Sequence, residues 1–202
     1  MKDAFEILKG KKFIRKEIEK QLGSEICLEV WLLAQEKLEN MLEKYKGLSE
    51  GVQMHTHGFI FPAAAIYLSL KEKAPVQAFE IMQYTMKEKS SKAGRSIARM
   101  TAILGFKKFF LKMWDSMSHK MFGETAGFKN VFYPAEKGCF RMDITQCPYH
   151  TYLTEAGCPE LNILFCENDI HSYGNLPGLK FTRTKTIGAG DELCDFKMEL
   201  VK

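Results

Sequence analysis

The sequence predicts a single α+β domain in which an N-terminal helical half packs on a C-terminal, largely antiparallel sheet of about four strands. Three observations support this prediction. The chain has 202 residues, the usual length of one domain. Residues 1–122 carry apolar side chains at helical spacing, and residues 123–202 contain short segments in which apolar and polar residues alternate. We therefore treat residues 1–202 as one domain with a mainly helical part, 1–122, and a mixed part, 123–202.

The helical part contains five amphipathic segments. The first is predicted over residues 23–48, with Ser24 as its N-cap, because apolar side chains recur there every three to four positions. Pro62 and Pro75 mark the start of the next two helices, since proline is tolerated in the first turn and not in the interior. These two helices are predicted over 61–73 and 75–87. The fourth helix is predicted to begin after an N-cap at Ser90 or Ser91, and the fifth is predicted over 106–121.

The mixed part contains four strands and two short helices. Strands are predicted over 128–134 and 139–145, joined by a turn at 136–138, and over 179–187 and 193–201, joined by a hairpin turn at 188–191. The helices begin near Pro148 and at Pro159, and the second of them runs to Ser172. An antiparallel sheet behind helices is the simplest assembly of these elements.

Charge and composition narrow the function classes. The net charge of +4 is small and acidic residues are interspersed with basic ones, whereas nucleic-acid-binding proteins present a strongly basic face. Neither a secretory signal nor an apolar run long enough for a membrane span is visible. Six cysteines without such a signal indicate a reducing compartment, where thiols stay free or bind metal. We expect a cytoplasmic protein that binds neither nucleic acid nor membranes.

The chemically reactive side chains concentrate in the last third of the chain. Four cysteines, at 147, 158, 166 and 194, are separated by ten, seven and twenty-seven residues, which is not the pattern of a structural zinc site. A thiolate serves as a nucleophile or as a soft metal ligand, while an isolated buried cysteine is usually a small apolar residue. Both interpretations stay open from spacing alone.

Charged residues near these cysteines strengthen the functional interpretation. Asp169 follows Cys166 by about one helical turn, so the two side chains share a helix face. Asp169 and Glu160 are acid/base candidates, and Cys194 follows a glycine-rich turn. Arg183, in the middle of a predicted strand, binds a substrate carboxylate if its side chain points inward and only solvates the sheet if it points outward.

The C-terminal third resembles the L-2-amino-thiazoline-4-carboxylic acid hydrolase family. The resemblance rests on five runs: Cys147-Pro148-Tyr149, Gly157-Cys158-Pro159-Glu160-Leu161, Phe165-Cys166-Glu167-Asn168-Asp169, 181–187, and Gly190-Asp191 followed by Cys194-Asp195-Phe196. It implies a hydrolase that opens a cyclic amidine, the 2-aminothiazoline ring, to a carbamoyl-cysteine. The closing run is also similar to four-vinyl-reductase-like ligand-binding domains, which have an α+β fold.

The resemblance implies site residues and leaves two catalytic mechanisms open. The family's cysteines map onto Cys147, Cys166 and Cys194, and its aspartate maps onto Asp169. In one mechanism Cys166 or Cys194 attacks the amidine carbon while Asp169 transfers protons. In the other, Cys147, Cys166 and Cys194 hold zinc or iron, which activates a water, and Asp169 is the base or the fourth ligand. In both mechanisms Arg183 holds the substrate carboxylate, and Glu160 is a further substrate-binding candidate.

Two non-enzymatic alternatives remain at this stage. The many methionines and phenylalanines suit an adaptable pocket that binds an apolar or thiol-bearing ligand without breaking a bond. Alternatively, the cysteines are core residues and the partner is a second copy of the chain in a homodimer.

Overall fold

A computed structural model describes residues 3–134 and 136–201 and confirms the predicted α+β fold. The helices are α1 (Ala4–Lys9), α2 (Lys12–Lys44), α3 (Glu50–His55), α4 (Phe61–Lys73), α5 (Ala78–Thr101), α6 (Phe106–Met121), α7 (Pro148–Glu155) and α8 (Asn162–Tyr173). The strands are β1 (Lys129–Phe132), β2 (Cys139–Gln146), β3 (Leu179–Thr182) and β4 (Cys194–Leu200). A π-helical turn, Thr56–Ile60, connects α3 to α4, and short 3-10 turns cover Glu124–Ala126, Pro159–Leu161 and Ile187–Ala189.

The long helix α2 extends further toward the N-terminus than predicted. It runs through Lys12–Lys44 with one break at Gly23, whose φ of 85° and ψ of 166° lie outside the helical region. Only glycine adopts such a conformation readily. The position predicted for a helix start at Ser24 is therefore an internal kink, and the turns before it belong to the same element.

The middle of the chain contains one helix where two were predicted. Residues 78–101 form α5 without interruption, and the serine predicted as a cap lies inside it. The Ser90 hydroxyl donates to the carbonyl of Met86 at 2.8 Å, within the preceding turn. Because serine in a helix satisfies its hydroxyl in this way, it does not end the helix.

The core has two apolar clusters on either side of α8. In the first, α2 packs against α4, which is buried around most of its circumference through residues such as Ala64 and Ile66. In the second, Phe110 of α6 packs on the sheet against Met142 and Met198. Within the described residues, no helix combines the length and the apolar character that crossing a bilayer requires.

The sheet is antiparallel throughout, with strand order β1-β2-β4-β3. Strand β3 ends at Thr182, five residues earlier than predicted, because the following backbone bonds to a side chain of β4 and not to the β4 backbone. The amides of Thr184 and Lys185 donate to the Asp195 carboxylate at 2.8 and 2.5 Å. The predicted hairpin turn is therefore part of a longer connection, 183–193, which crosses the end of the sheet.

Candidate active site

A cavity of about 280 Å³ lies where α8, the beginning of β4 and the 183–193 connection meet. Five residues singled out from the sequence line it: Cys147, Cys166, Asp169, Arg183 and Cys194. The remaining walls are largely aromatic, with phenylalanine and tyrosine side chains from the π-helical turn, the segment between α6 and β1, α7, α8 and β4. Such a chamber, apolar with a few polar groups, is typical of small-molecule sites.

Thr186 joins two of the thiols. Its hydroxyl donates to Cys166 Sγ at 3.1 Å and lies 3.5 Å from Cys194 Sγ. The backbone N–H of Ile187 donates to Cys194 Sγ at 3.2 Å. Burial raises the pKa of Cys166, while the Thr186 hydrogen bond and the nearby Arg183 charge oppose that rise. The Cys166–Thr186–Cys194 chain is therefore a path along which a proton can move between two sulfur atoms.

Gly188 has no side chain, and the Cys166 thiol lies close to the position that a Cβ there would take. A Cβ at this position would lie 2.6 Å from Cys166 Sγ and 3.3 Å from the Asn162 side-chain nitrogen. We expect Gly188→Ala to displace the thiol and to lower both its alkylation rate and any turnover at least about ten-fold, since a shift near 1 Å has such effects. Gly47→Ala is the control, because a Cβ there meets nothing within 4 Å. Equal alkylation rates in the two variants would contradict the packing argument.

Cys147 lies at the N-terminal end of α7, beside the other two thiols. Burial raises its pKa to about 12, although the backbone N–H groups of Tyr149 and His150 favour the thiolate. The charges of Cys166 and Cys194 act in the same direction as burial. Cys147 is therefore a neutral thiol at physiological pH and poorly suited to act as a nucleophile.

Asp169 and Arg183 form an ion pair inside the cavity, with Arg183 Nη1 3.1 Å from Asp169 Oδ2. The Arg183 side chain is only 4 % exposed, so it points inward, one of the two orientations that the sequence left open. Asp169 keeps 31 % of its side-chain surface accessible. Burial raises the pKa of Asp169 to about 6 and Arg183 opposes the rise, so this carboxyl group changes protonation near neutral pH.

Two asparagines of α8 have buried side-chain oxygens that the sequence analysis did not assign as acceptors. Asn162 is 2 % exposed, and its amide nitrogen lies 3.3 Å from His150 Nδ1. The side-chain oxygens of Asn162 and Asn168, both on α8 and both lining the cavity, have no hydrogen-bond partner among the described residues. Unpartnered buried acceptors favour a ligand that brings N–H donors. Asn168 belongs to one of the five runs that carry the family resemblance, whereas nothing in the sequence distinguished Asn162.

His55 is a structural residue of the cavity wall. Its Nδ1 lies 3.0 Å from the Tyr149 hydroxyl and its Nε2 lies 2.8 Å from the carbonyl of Met121. The carbonyl requires a proton on Nε2, so Nδ1 accepts from the tyrosine. Burial lowers the pKa of His55, which keeps the ring neutral and orients Tyr149 over the cavity.

Glu160 does not join this group. Its carboxylate accepts from Tyr67 and from Lys71, each at 2.8 Å, and it is not among the residues lining the cavity. The reason is its position before α8: it lies in the 3-10 turn Pro159–Leu161 and faces α4 instead. The structure therefore does not place Glu160 where a substrate at the three thiols would contact it.

A metal site needs at least three ligands in one coordination sphere. The predicted ligands Cys147, Cys166 and Cys194 do line one cavity. Across residues 3–134 and 136–201, however, no group of three or more histidine, cysteine, aspartate or glutamate side chains is arranged to hold a metal ion. The groups that the cavity offers for chemistry are its thiols, its carboxyl group and its guanidinium.

The part of the chain that matches a known protein family includes the residues of the cavity. The sequence model of the L-2-amino-thiazoline-4-carboxylic acid hydrolase family matches residues 53–198. That range is well over half of the 202 residues and includes every residue that lines the cavity. No curated protein shows significant similarity to the chain.

Proposed function

Because the chain belongs to the L-2-amino-thiazoline-4-carboxylic acid hydrolase family, we propose that it hydrolyses a C–N bond in a small cyclic amidine that carries a carboxylate. The observation that supports this proposal best is the set of groups lining one cavity: a guanidinium, two unpartnered amide oxygens, and a thiol one helical turn from a carboxyl group of raised pKa. A 2-aminothiazoline carboxylate offers a complementary group to each of them.

Substrate binding follows from charge and hydrogen bonding. Arg183 has five N–H donors and uses one nitrogen for Asp169, so donors remain for the substrate carboxylate. The amidine nitrogens donate to the free oxygens of Asn162 and Asn168. These contacts hold the amidine carbon near the Cys166 thiol, whose neighbours include the Asn162 side chain and the Arg183 charge.

The reaction then proceeds in two balanced steps. The Cys166 sulfur forms a bond to the amidine carbon, the bond from that carbon to the ring nitrogen breaks, and this nitrogen leaves as an amine. The amine gains one proton from the thiol and one from the exocyclic amino group. Water next adds to the same carbon, the enzyme sulfur leaves as a thiol, and the product is a carbamoyl thioester of a cysteine-like amino acid.

Asp169 moves the thiol proton in the first step. Its carboxylate accepts the Cys166 proton as the sulfur attacks, and the resulting carboxylic acid donates to the ring nitrogen as it leaves. A group with a pKa of about 6 suits both roles near neutral pH. The charge of Asp169 also raises the pKa of Cys166, so the two groups are close enough to interact.

The direct test is incubation with 2-aminothiazoline-4-carboxylate and its oxygen and nitrogen ring analogues. Turnover is expected to yield a product heavier than the substrate by one water, detected by mass spectrometry together with a new primary amine. Binding without turnover of any cyclic amidine would instead support a non-catalytic ligand-binding domain.

Arg183→Met tests the recognition of the substrate carboxylate. We expect KM for a carboxylated amidine to rise about 100-fold or more, because the buried charge-assisted bonds are lost. Turnover of 2-aminothiazoline, which lacks the carboxylate, should change far less. Arg141→Met is the matched control, because Arg141 stacks on Tyr133 on the sheet and does not line the cavity. A similar loss on both substrates would show that Arg183 acts only through the fold.

A further inference from the structure

A second cavity, of about 260 Å³, lies between the junction of α1 with α2 and the middle of α5. Its lining is mainly apolar, with Phe13 and Ile14 from α2, Ala63 from α4 and Met86 from α5. Two lysines, Lys11 and Lys89, also line it, and no acidic residue of the described chain does. It is thus an apolar chamber with positive charge on one side.

The two lysines lack a neutralising carboxylate. Neither forms an ion pair within residues 3–134 and 136–201. Lys11 Nζ donates to the carbonyl of Gly58 at 2.7 Å, and Lys89 Nζ lies 5.4 Å from the centre of the Phe13 ring. Burial and the charge of Lys89 lower the pKa of Lys11 to about 8, so Lys11 still carries charge at neutral pH. Two neighbouring cations, of which Lys11 is half-buried and Lys89 is exposed, attract an anion.

We propose that this second cavity binds an apolar monocarboxylate, with the carboxylate between Lys11 and Lys89 and the hydrocarbon chain against Phe13, Ile14 and Met86. The charge pair supplies the recognition of the acid, and the apolar lining supplies the favourable burial of the chain. A cationic ligand would be repelled by the two lysines. A strongly polar ligand would make no favourable contact with the apolar lining.

This site is separate from the cavity that holds the three thiols. The two cavities share Phe59, Phe165 and Asn168 as a common wall. Gly10, Lys11, Phe13 and Ile14 precede residue 53, where the family match begins, so the second cavity is built partly by residues outside that match. An occupant would touch the wall of the thiol cavity without entering it.

Calorimetric titration of the full chain with octanoate tests the proposal without reference to turnover. Octanoate is expected to bind with one site per chain, and octylammonium, with the same chain and the opposite charge, is expected not to bind. Lys89→Met should weaken octanoate binding about ten-fold or more. Lys92→Met is the matched control on the same helix, since Lys92 is exposed and does not line the cavity.

A second variant separates blocked binding from altered folding. Ala93 is exposed at the edge of the cavity, so Ala93→Phe is expected to fill the space without disturbing the core and to abolish octanoate binding. Absence of octanoate binding, equal binding of octylammonium, or equal affinities in Lys89→Met and Lys92→Met would each overturn the proposal. The same titration on Cys166→Ala should match the unmodified chain, so failure here is distinguishable from failure of the proposed hydrolysis.

Discussion

Replacing Cys166 with alanine is expected to lower kcat/KM for a cyclic amidine carboxylate by about 10³-fold or more, because the attacking sulfur is lost. Cys166 combines the features a nucleophile needs. It lines the cavity, accepts a hydrogen bond from Thr186 at 3.1 Å, and lies one helical turn from Asp169. Steady-state kinetics, with folding checked by circular dichroism, measure the loss.

The control for this variant is Cys139→Ser. Cys139 begins β2, pairs with Glu199 on β4 and does not line the cavity, so activity should be unchanged. Mass spectrometry after rapid acid quenching detects a covalent intermediate, which would not form if Cys166 had only a structural role. The first step adds the whole substrate to the sulfur, so the covalent intermediate should exceed the enzyme mass by one complete substrate molecule.

Activity retained in Cys166→Ala would contradict the thiol mechanism. The next measurement would then be the zinc and iron content of protein purified without a metal-binding tag. About one ion per chain, with Cys147, Cys166 and Cys194 protected from alkylation until chelation, would point to an activated water. If the protein contains no metal and turnover is retained, Cys194 would be the nucleophile.

Replacing Asp169 with asparagine is expected to lower kcat by about 10²- to 10⁴-fold, the usual contribution of a general acid–base group. In the unmodified enzyme, kcat/KM should fall as the pH falls below about 6, because the ionised carboxylate is the form that accepts the Cys166 proton. Asp169→Asn should lack this acidic limb. A pH profile that keeps its limb near 6 in the variant would show that another group titrates there.

Asp169 is also expected to change the free energy of unfolding with pH in the direction opposite to that of most carboxylates. Its pKa is raised by folding from 3.8 to about 6, so the native state binds a proton more tightly than the unfolded chain. The group's favourable contribution is complete below pH 3.8 and is lost as the pH rises to about 6. Denaturant unfolding across this range should show a smaller decline in Asp169→Asn. Asp143→Asn, whose carboxylate accepts from Tyr133 on the sheet surface, should behave like the unmodified chain.

Local sequence patterns predicted most of the fold, and their failures have identifiable physical causes. Helical periodicity placed α4 and α6 within a residue because their boundaries coincide with proline or glycine. The division of α5 was wrong since Ser90 bonds within its own helix. Strand β3 was predicted too long because the backbone N–H of Thr184 donates to the Asp195 side chain of β4 and not to the β4 backbone.

For the site, the sequence alone determined which groups can do chemistry, and only the tertiary structure decided which of them meet. Cys166 and Asp169 share a face because helical spacing is a local property, visible in any single stretch of sequence. Thr186 reaches Cys166 across twenty residues, and Glu160 faces α4 instead of the thiols. Lys11, at the junction of α1 with α2, and Lys89, in the middle of α5, come close enough for their charges to interact. Such contacts depend on how whole helices pack, and packing is set by the combined burial of many side chains rather than by the residues in contact.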